Sequence, residues 1–136
     1  MPMEEDNPRF VVDTHALWWY LRSPERLSIA ASAVFRLAET GNAIIVVPAI
    51  VVAEFYFLSA KLGQPLVPAD LLDTLSSVGG IELSDLGRAQ LENLDRFPEI
   101  SEMHDKLIAA ESIVLDAPVV SRDEKIAASA RVASVW

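Results

Sequence analysis

Four acidic residues, Asp13, Glu54, Asp105 and Asp123, stand where this chain could do chemistry. Asp13 ends the apolar run Phe10-Val11-Val12, which reads as a buried strand, and a helix-like pattern from Ala16 to Leu21 follows at once. Ligands of open α/β sheets bind at the carboxyl ends of the strands, so Asp13 falls at a productive position. Asp123, in Ser121-Arg122-Asp123-Glu124, follows a second short apolar run in the same way. Glu54 is the only charge in Ile50-Val51-Val52-Ala53-Glu54-Phe55-Tyr56-Phe57-Leu58. A charge inside such a run needs a partner or a metal if the helix is covered on most sides, as this one is expected to be. Asp105 opens the helical segment Asp105-Lys106-Leu107-Ile108-Ala109-Ala110.

Each acid also has an ordinary explanation. Asp13 and Asp123 suit helix caps, Asp105 suits the positive end of a helix dipole, and Glu54 could share a polar stripe with Lys61. Their joint placement says more. If the sheet is parallel, all four converge on one side of it. Converging carboxylates repel one another and raise each other's pKa, and a hard divalent cation relieves this. Carboxylate oxygens are the donor type for Mg²⁺ or Mn²⁺.

The elements that must position these acids alternate between strand and helix. Strands are predicted at Arg9–Val12, Ala43–Val47, Ile81–Leu83, Pro118–Ser121 and Val132–Trp136. Helices are predicted at Thr14–Arg22, Ile29–Glu39, Ile50–Leu62, Ala69–Val78, from Ser84 to Phe97, from Ser101 or His104 to Leu115, and at Asp123–Ala130. Pro48 is expected to end the second strand, whose continuous Ile and Val signature is that of a strand buried on both faces. Such alternation predicts a mainly parallel sheet with helices on both faces, α/β in class. Residues 1–8 read as a flexible tail and 9–136 as a single domain.

Composition narrows the function classes. With 136 residues, 51% of them hydrophobic, the chain is large enough for a real core. A net charge of -9 disfavours coating nucleic acid through the overall field, yet leaves room for an acidic pocket that meets phosphate through a cation. The absence of cysteine excludes disulfides and thiolate metal sites. No apolar run is long enough to span a membrane, and the acidic start is unlike a signal peptide, so a cytoplasmic location is expected.

Four segments, in this order and spacing, resemble the PIN-domain ribonucleases, and within them the VapC-type toxins of bacterial and archaeal toxin–antitoxin pairs. They are Val11-Val12-Asp13-Thr14-His15-Ala16-Leu17, Ala53-Glu54 in an apolar helix, His104-Asp105-Lys106-Leu107-Ile108-Ala109-Ala110, and Val120-Ser121-Arg122-Asp123-Glu124-Lys125-Ile126. The resemblance implies a three-layer α/β/α sandwich around a five-stranded parallel sheet of order 3-2-1-4-5. It implies a Mg²⁺- or Mn²⁺-dependent endoribonuclease leaving a 5′ phosphate and a 3′ hydroxyl. Asp13, Glu54, Asp105 and Asp123 match the family's acidic quartet, with Asp13 and Asp105 at the positions that hold the metal directly. Ser121 matches a supporting hydroxyl position, and Thr14 is a second candidate beside it. Lys106, Arg122 and Lys125 are candidates for phosphate contacts, with balancing of nearby acids as the plainer role. His15 is read as a packing or hydrogen-bonding residue and His104 as a cap or surface residue.

The resemblance also implies a cognate VapB-like antitoxin whose basic or amphipathic C-terminal tail meets the acidic pocket, and a homodimer. Trp18, Trp19, Phe55, Tyr56 and Phe57 exceed what one core needs, although most suit core packing. Three rival readings stand beside this one. A Mg²⁺-binding receiver-like signalling domain would use Asp85 after the third strand but leaves Glu54 without a role. A non-catalytic PIN-like regulator would keep the pocket and cut nothing. An aspartyl-phosphate phosphatase wants an acid where His15 stands.

Overall fold

A computed structural model of the chain describes residues 7–136. Strands β1 (Arg9–Val12), β2 (Ile44–Pro48), β3 (Ile81–Ser84), β4 (Val119–Val120) and β5 (Ser134–Val135) form one sheet of order β3-β2-β1-β4-β5. Every pairing is parallel, with Val11 opposite both Val46 and Val119. The α/β class and strand order expected from the sequence are therefore present. All five residues of β2 are buried, as a central strand covered on both faces requires.

The helices are α1 (Thr14–Arg22), α2 (Ile29–Glu39), α3 (Ala49–Lys61), α4 (Pro68–Ser77), α5 (Arg88–Leu91), α6 (Met103–Leu115) and α7 (Glu124–Ala128). Asp13 caps α1, its side chain accepting from the Ala16 amide at 2.9 Å, and Ser28 caps α2 through the Ala31 amide. The core joins β1, β2 and β4 to Leu17, Phe35, Phe55, Leu75, Ile108 and Ile126. Gly80 enters β3 at φ +80°, and a Cβ there would strike the Ala38 carbonyl, so only glycine lets β3 lie against the end of α2.

Several expectations need correction. The long helix from Ser84 to Phe97 does not form. Ser84 closes β3, α5 makes one turn, and a 3-10 turn follows at Leu94–Arg96. The Asn93 side-chain Nδ2 donates to the Ala89 carbonyl at 2.7 Å, a local bond that competes with helix continuation. The chain must also bend here to bury Phe97 and Ile100 completely. Pro48 is the last paired residue of β2, opposite Ser84, rather than a terminator before it. Helix α6 starts at Met103, because the Glu102 carboxylate caps it through the Asp105 amide at 3.1 Å. Both α7 and β5 are shorter than expected.

Helix α3 is not covered on most sides. Only Val51, Phe55 and Ser59, one residue per turn, are buried, while Tyr56 and Phe57 are exposed. Trp18 is in the core against Phe55, at 4.8 Å between ring centroids. Most of the tail expected over residues 1–8 lies outside the described residues. Of its last two, Asn7 donates to the Gly41 carbonyl at 3.0 Å and the Pro8 carbonyl accepts from Ile44 at 2.9 Å. No helix of the described residues is long and apolar enough to cross a membrane.

Candidate active site

Because all strands run the same way, their carboxyl ends share one edge, and the acids gather there. Asp13, Glu54, Asp105 and Asp123 line a single open pocket of about 620 Å³, together with Thr14, His15, Trp19, Glu102, His104, Ile108 and Arg122. The quartet expected to converge does so, from β1, α3, α6 and the β4–α7 junction.

Each acid is held differently. Asp13 is buried at 6% exposure, with one oxygen on the Ala16 amide and the other accepting from the Ser121 hydroxyl. Burial raises its pKa, and those two hydrogen bonds oppose the rise. Ser121 also accepts from the Asp123 amide at 2.9 Å, so one hydroxyl links two acids of the quartet. Asp123 caps α7, accepting from the amides of Lys125 at 2.8 Å and Ile126 at 3.1 Å. The cap readings of Asp13 and Asp123 hold alongside the pocket reading; a carboxylate has lone pairs enough for both.

Glu54 is half-buried rather than engulfed. Its Oε1 accepts from the Thr14 hydroxyl at 2.6 Å, and its Oε2 lies 3.3 Å from His104 Nδ1. Asp105 sits in the first turn of α6. Burial pushes its pKa up to about 6, aided by the charges of Asp123, Glu102, Glu54 and Asp13 in that order.

Sequence reasoning did not place Glu102, His104, Trp19 or Ile108 in the pocket. His104 is no cap. Its Nδ1 lies 2.7 Å from Glu102 Oε2 and close to Glu54. Glu54, Glu102 and His104 each offer a ligand atom within 4.8 Å of the others. The available signal was Glu102 itself, an acid three residues before Asp105 at a helix entry. Among the expected phosphate contacts, Arg122 lines the pocket, whereas Lys106 and Lys125 do not. Asp85, the residue a receiver domain would need, borders a different, small cavity with Ser84 and Glu111.

The donor set fits a hard divalent cation. Glu54, Glu102 and His104 bring two carboxylates and one imidazole within reach of a single ion, and Asp13, Asp105 and Asp123 line the same pocket, where their repulsion adds to the burial that lifts Asp105.

Residues 10–132 match the PIN domain family, and the chain belongs to that family. PIN domains are generally nucleases that use divalent metal. Among solved structures, the chain resembles VapBC2 from Rickettsia felis, solved bound to a DNA fragment from its promoter. The TM-score is 0.71 at 17% identity, over 93% of this chain and 96% of that one. It also resembles a toxin–antitoxin complex from Klebsiella pneumoniae, with a TM-score of 0.62 at 13% identity, over 90% and 94% of the two chains. At these identities the likeness is one of fold. A comparison with curated proteins found no match.

Proposed function

We propose that this PIN domain is a Mg²⁺- or Mn²⁺-dependent endoribonuclease and the toxin of a type II toxin–antitoxin pair. The observation that carries the reading is the convergence of Asp13, Glu54, Asp105 and Asp123 on one pocket, with Asp105 lifted to about 6 chiefly by burial and also by the other acids. A bound divalent cation supplies charge neutralisation at the scissile phosphate and a more acidic water. Asp13 and Asp105 are the residues assigned to hold it. Ser121 fixes the Asp13 carboxylate, and Thr14 fixes Glu54, so both acids are oriented before substrate arrives. Glu54 and Asp123 are placed to accept a proton from, or align, the attacking water. Arg122 is the pocket's cation for the phosphate backbone.

The partner is a VapB-like antitoxin. The two solved structures compared above are toxin–antitoxin complexes, and an acidic pocket attracts a basic C-terminal tail. The exposed Tyr56 and Phe57 of α3 suit a homodimer or antitoxin contact. The test is cleavage of RNA by the purified protein with Mg²⁺ or Mn²⁺, and its loss in Asp13→Ala and Asp105→Ala. Cleavage by the wild type that persists in excess EDTA overturns the metal mechanism.

A further inference from the structure

The pocket holds more than acids. Helix α1 leaves Asp13 with His15 and Trp19 one turn apart on a single face, and both line the pocket. Trp19 is half-buried and His15 is exposed. The Trp19 ring is braced by Trp136, 5.5 Å away between centroids, and His15 lies 5.8 Å away on the same helix. Arg122 places its guanidinium carbon 5.9 Å from the Trp19 centroid. Trp18, by contrast, is spent on the core. A large flat π surface, packed against a second tryptophan and with an exposed cation over its ring, is thus built into the wall of the cavity that also holds the four acids. The volume of about 620 Å³ exceeds what a cation and one phosphate fill, and lies in the range of pockets that take a whole ligand.

We infer that Trp19, packed against the tilted Trp136 ring and overlain by the exposed side chain of Arg122, is a stacking shelf for an unpaired nucleobase next to the scissile phosphate. This rests on the ribonuclease reading and adds a specificity-determining residue to it. Aromatic side chains stack on any base, because every base has a π face, and Arg adds a cation–π contribution. A base inside a duplex is already stacked on its neighbours, so the shelf takes an unpaired one. Trp19 would orient the nucleotide and Asp13 with Asp105 would act on its phosphate.

The experiment compares binding of a single-stranded oligoadenylate and of an all-abasic ribose-phosphate oligomer of equal length, with Ca²⁺ replacing Mg²⁺, by fluorescence anisotropy. Wild type should bind oligoadenylate about tenfold or more tightly than the abasic oligomer. Trp19→Leu should lose that margin and bind both alike, and Trp19→Phe should recover part of it. In cleavage assays Trp19→Leu should raise KM more than it lowers kcat. Equal wild-type affinity for the two oligomers, or an unchanged margin in folded Trp19→Leu, overturns the shelf. The wild-type comparison stands even if Trp19→Leu fails to fold. If wild type cleaves RNA and the margin is missing, the shelf fails alone. If wild type neither binds nor cleaves RNA, the ribonuclease reading fails and takes the shelf with it.

Discussion

The Thr14 hydroxyl donates to Glu54 Oε1 at 2.6 Å, joining the first residue of α1 to the middle of α3. Thr14 directly follows Asp13, so the chain that ends in one acid of the pocket immediately supplies the hydroxyl that orients another. A bond to a charged acceptor is worth about 1.5–3 kcal/mol. Thr14→Val, which keeps the shape and removes the hydroxyl, should therefore lower metal affinity and cleavage rate by about tenfold or more. Thr14→Ser should restore most of both. Calorimetric metal titration and initial cleavage rates measure the effect, and equal behaviour of Thr14→Val and wild type would remove Thr14 from the site.

Asp13 accepts two hydrogen bonds through its side chain, and its variants should separate these structural roles from its chemical one. Asp13→Ala removes the cap on α1 and the acceptor for Ser121, so it should lose about 1–2 kcal/mol of stability as well as all cleavage. Asp13→Asn can keep the cap through its side-chain oxygen, so it should stay nearer wild-type stability while still losing cleavage. Urea denaturation beside an activity assay distinguishes the two.

Asp105 gives the pH dependence. Its folded pKa of about 6 lies above its ordinary 3.8, so the folded state holds the proton more tightly than the unfolded one. Stability of the metal-free protein from this group is therefore full below about pH 4 and falls as pH rises toward 6, then levels. Asp105 is roughly half exposed, and solvent screening keeps the effect small. Denaturation curves in EDTA across this range should show the fall in wild type and a shallower one in Asp105→Asn.

Metal competes with that same proton. Stabilisation by Mn²⁺ or Mg²⁺, read as a shift in Tm, should be small at pH 5 and larger at pH 7.5, because Asp105 must lose its proton to bind. Asp105→Asn should raise Tm in EDTA by relieving repulsion and should gain little on adding metal. A metal-induced shift in Asp105→Asn equal to that of wild type would take Asp105 out of the ligand set.

Glu111 is 1% exposed on α6, and among the described residues nothing bonds its Oε2. Its Oε1 accepts from Gln90 Nε2 at 2.7 Å, and Gln90 in turn accepts from the Gly87 amide at 2.9 Å, which fastens the turn before α5 to α6. Glu111→Ala should cost about 2–3 kcal/mol through the unpaired Gln90 amide and the cavity left behind. Metal affinity should change little, since Glu111 lies outside the acidic pocket.

The sequence by itself determined the sheet and where the four acids fall along it. Apolar runs of Val and Ile marked β1, β2 and β4, glycines and prolines marked most helix ends, and a parallel sheet puts every strand's carboxyl end on one edge. Asp13 and Asp123 were legible because they sit at those ends, and Asp105 because it opens a helix there. What only tertiary structure decided is contact between distant segments. Periodicity carries no information on which hydroxyl reaches Glu54, on the pairing of His104 with Glu102, or on which of two adjacent tryptophans faces the pocket. The region from Ser84 to Phe97 departs from the expected helix for the same reason. Its local pattern suits a helix, but burying Phe97 and Ile100 outweighed the few intrahelical bonds a continuous helix would have added.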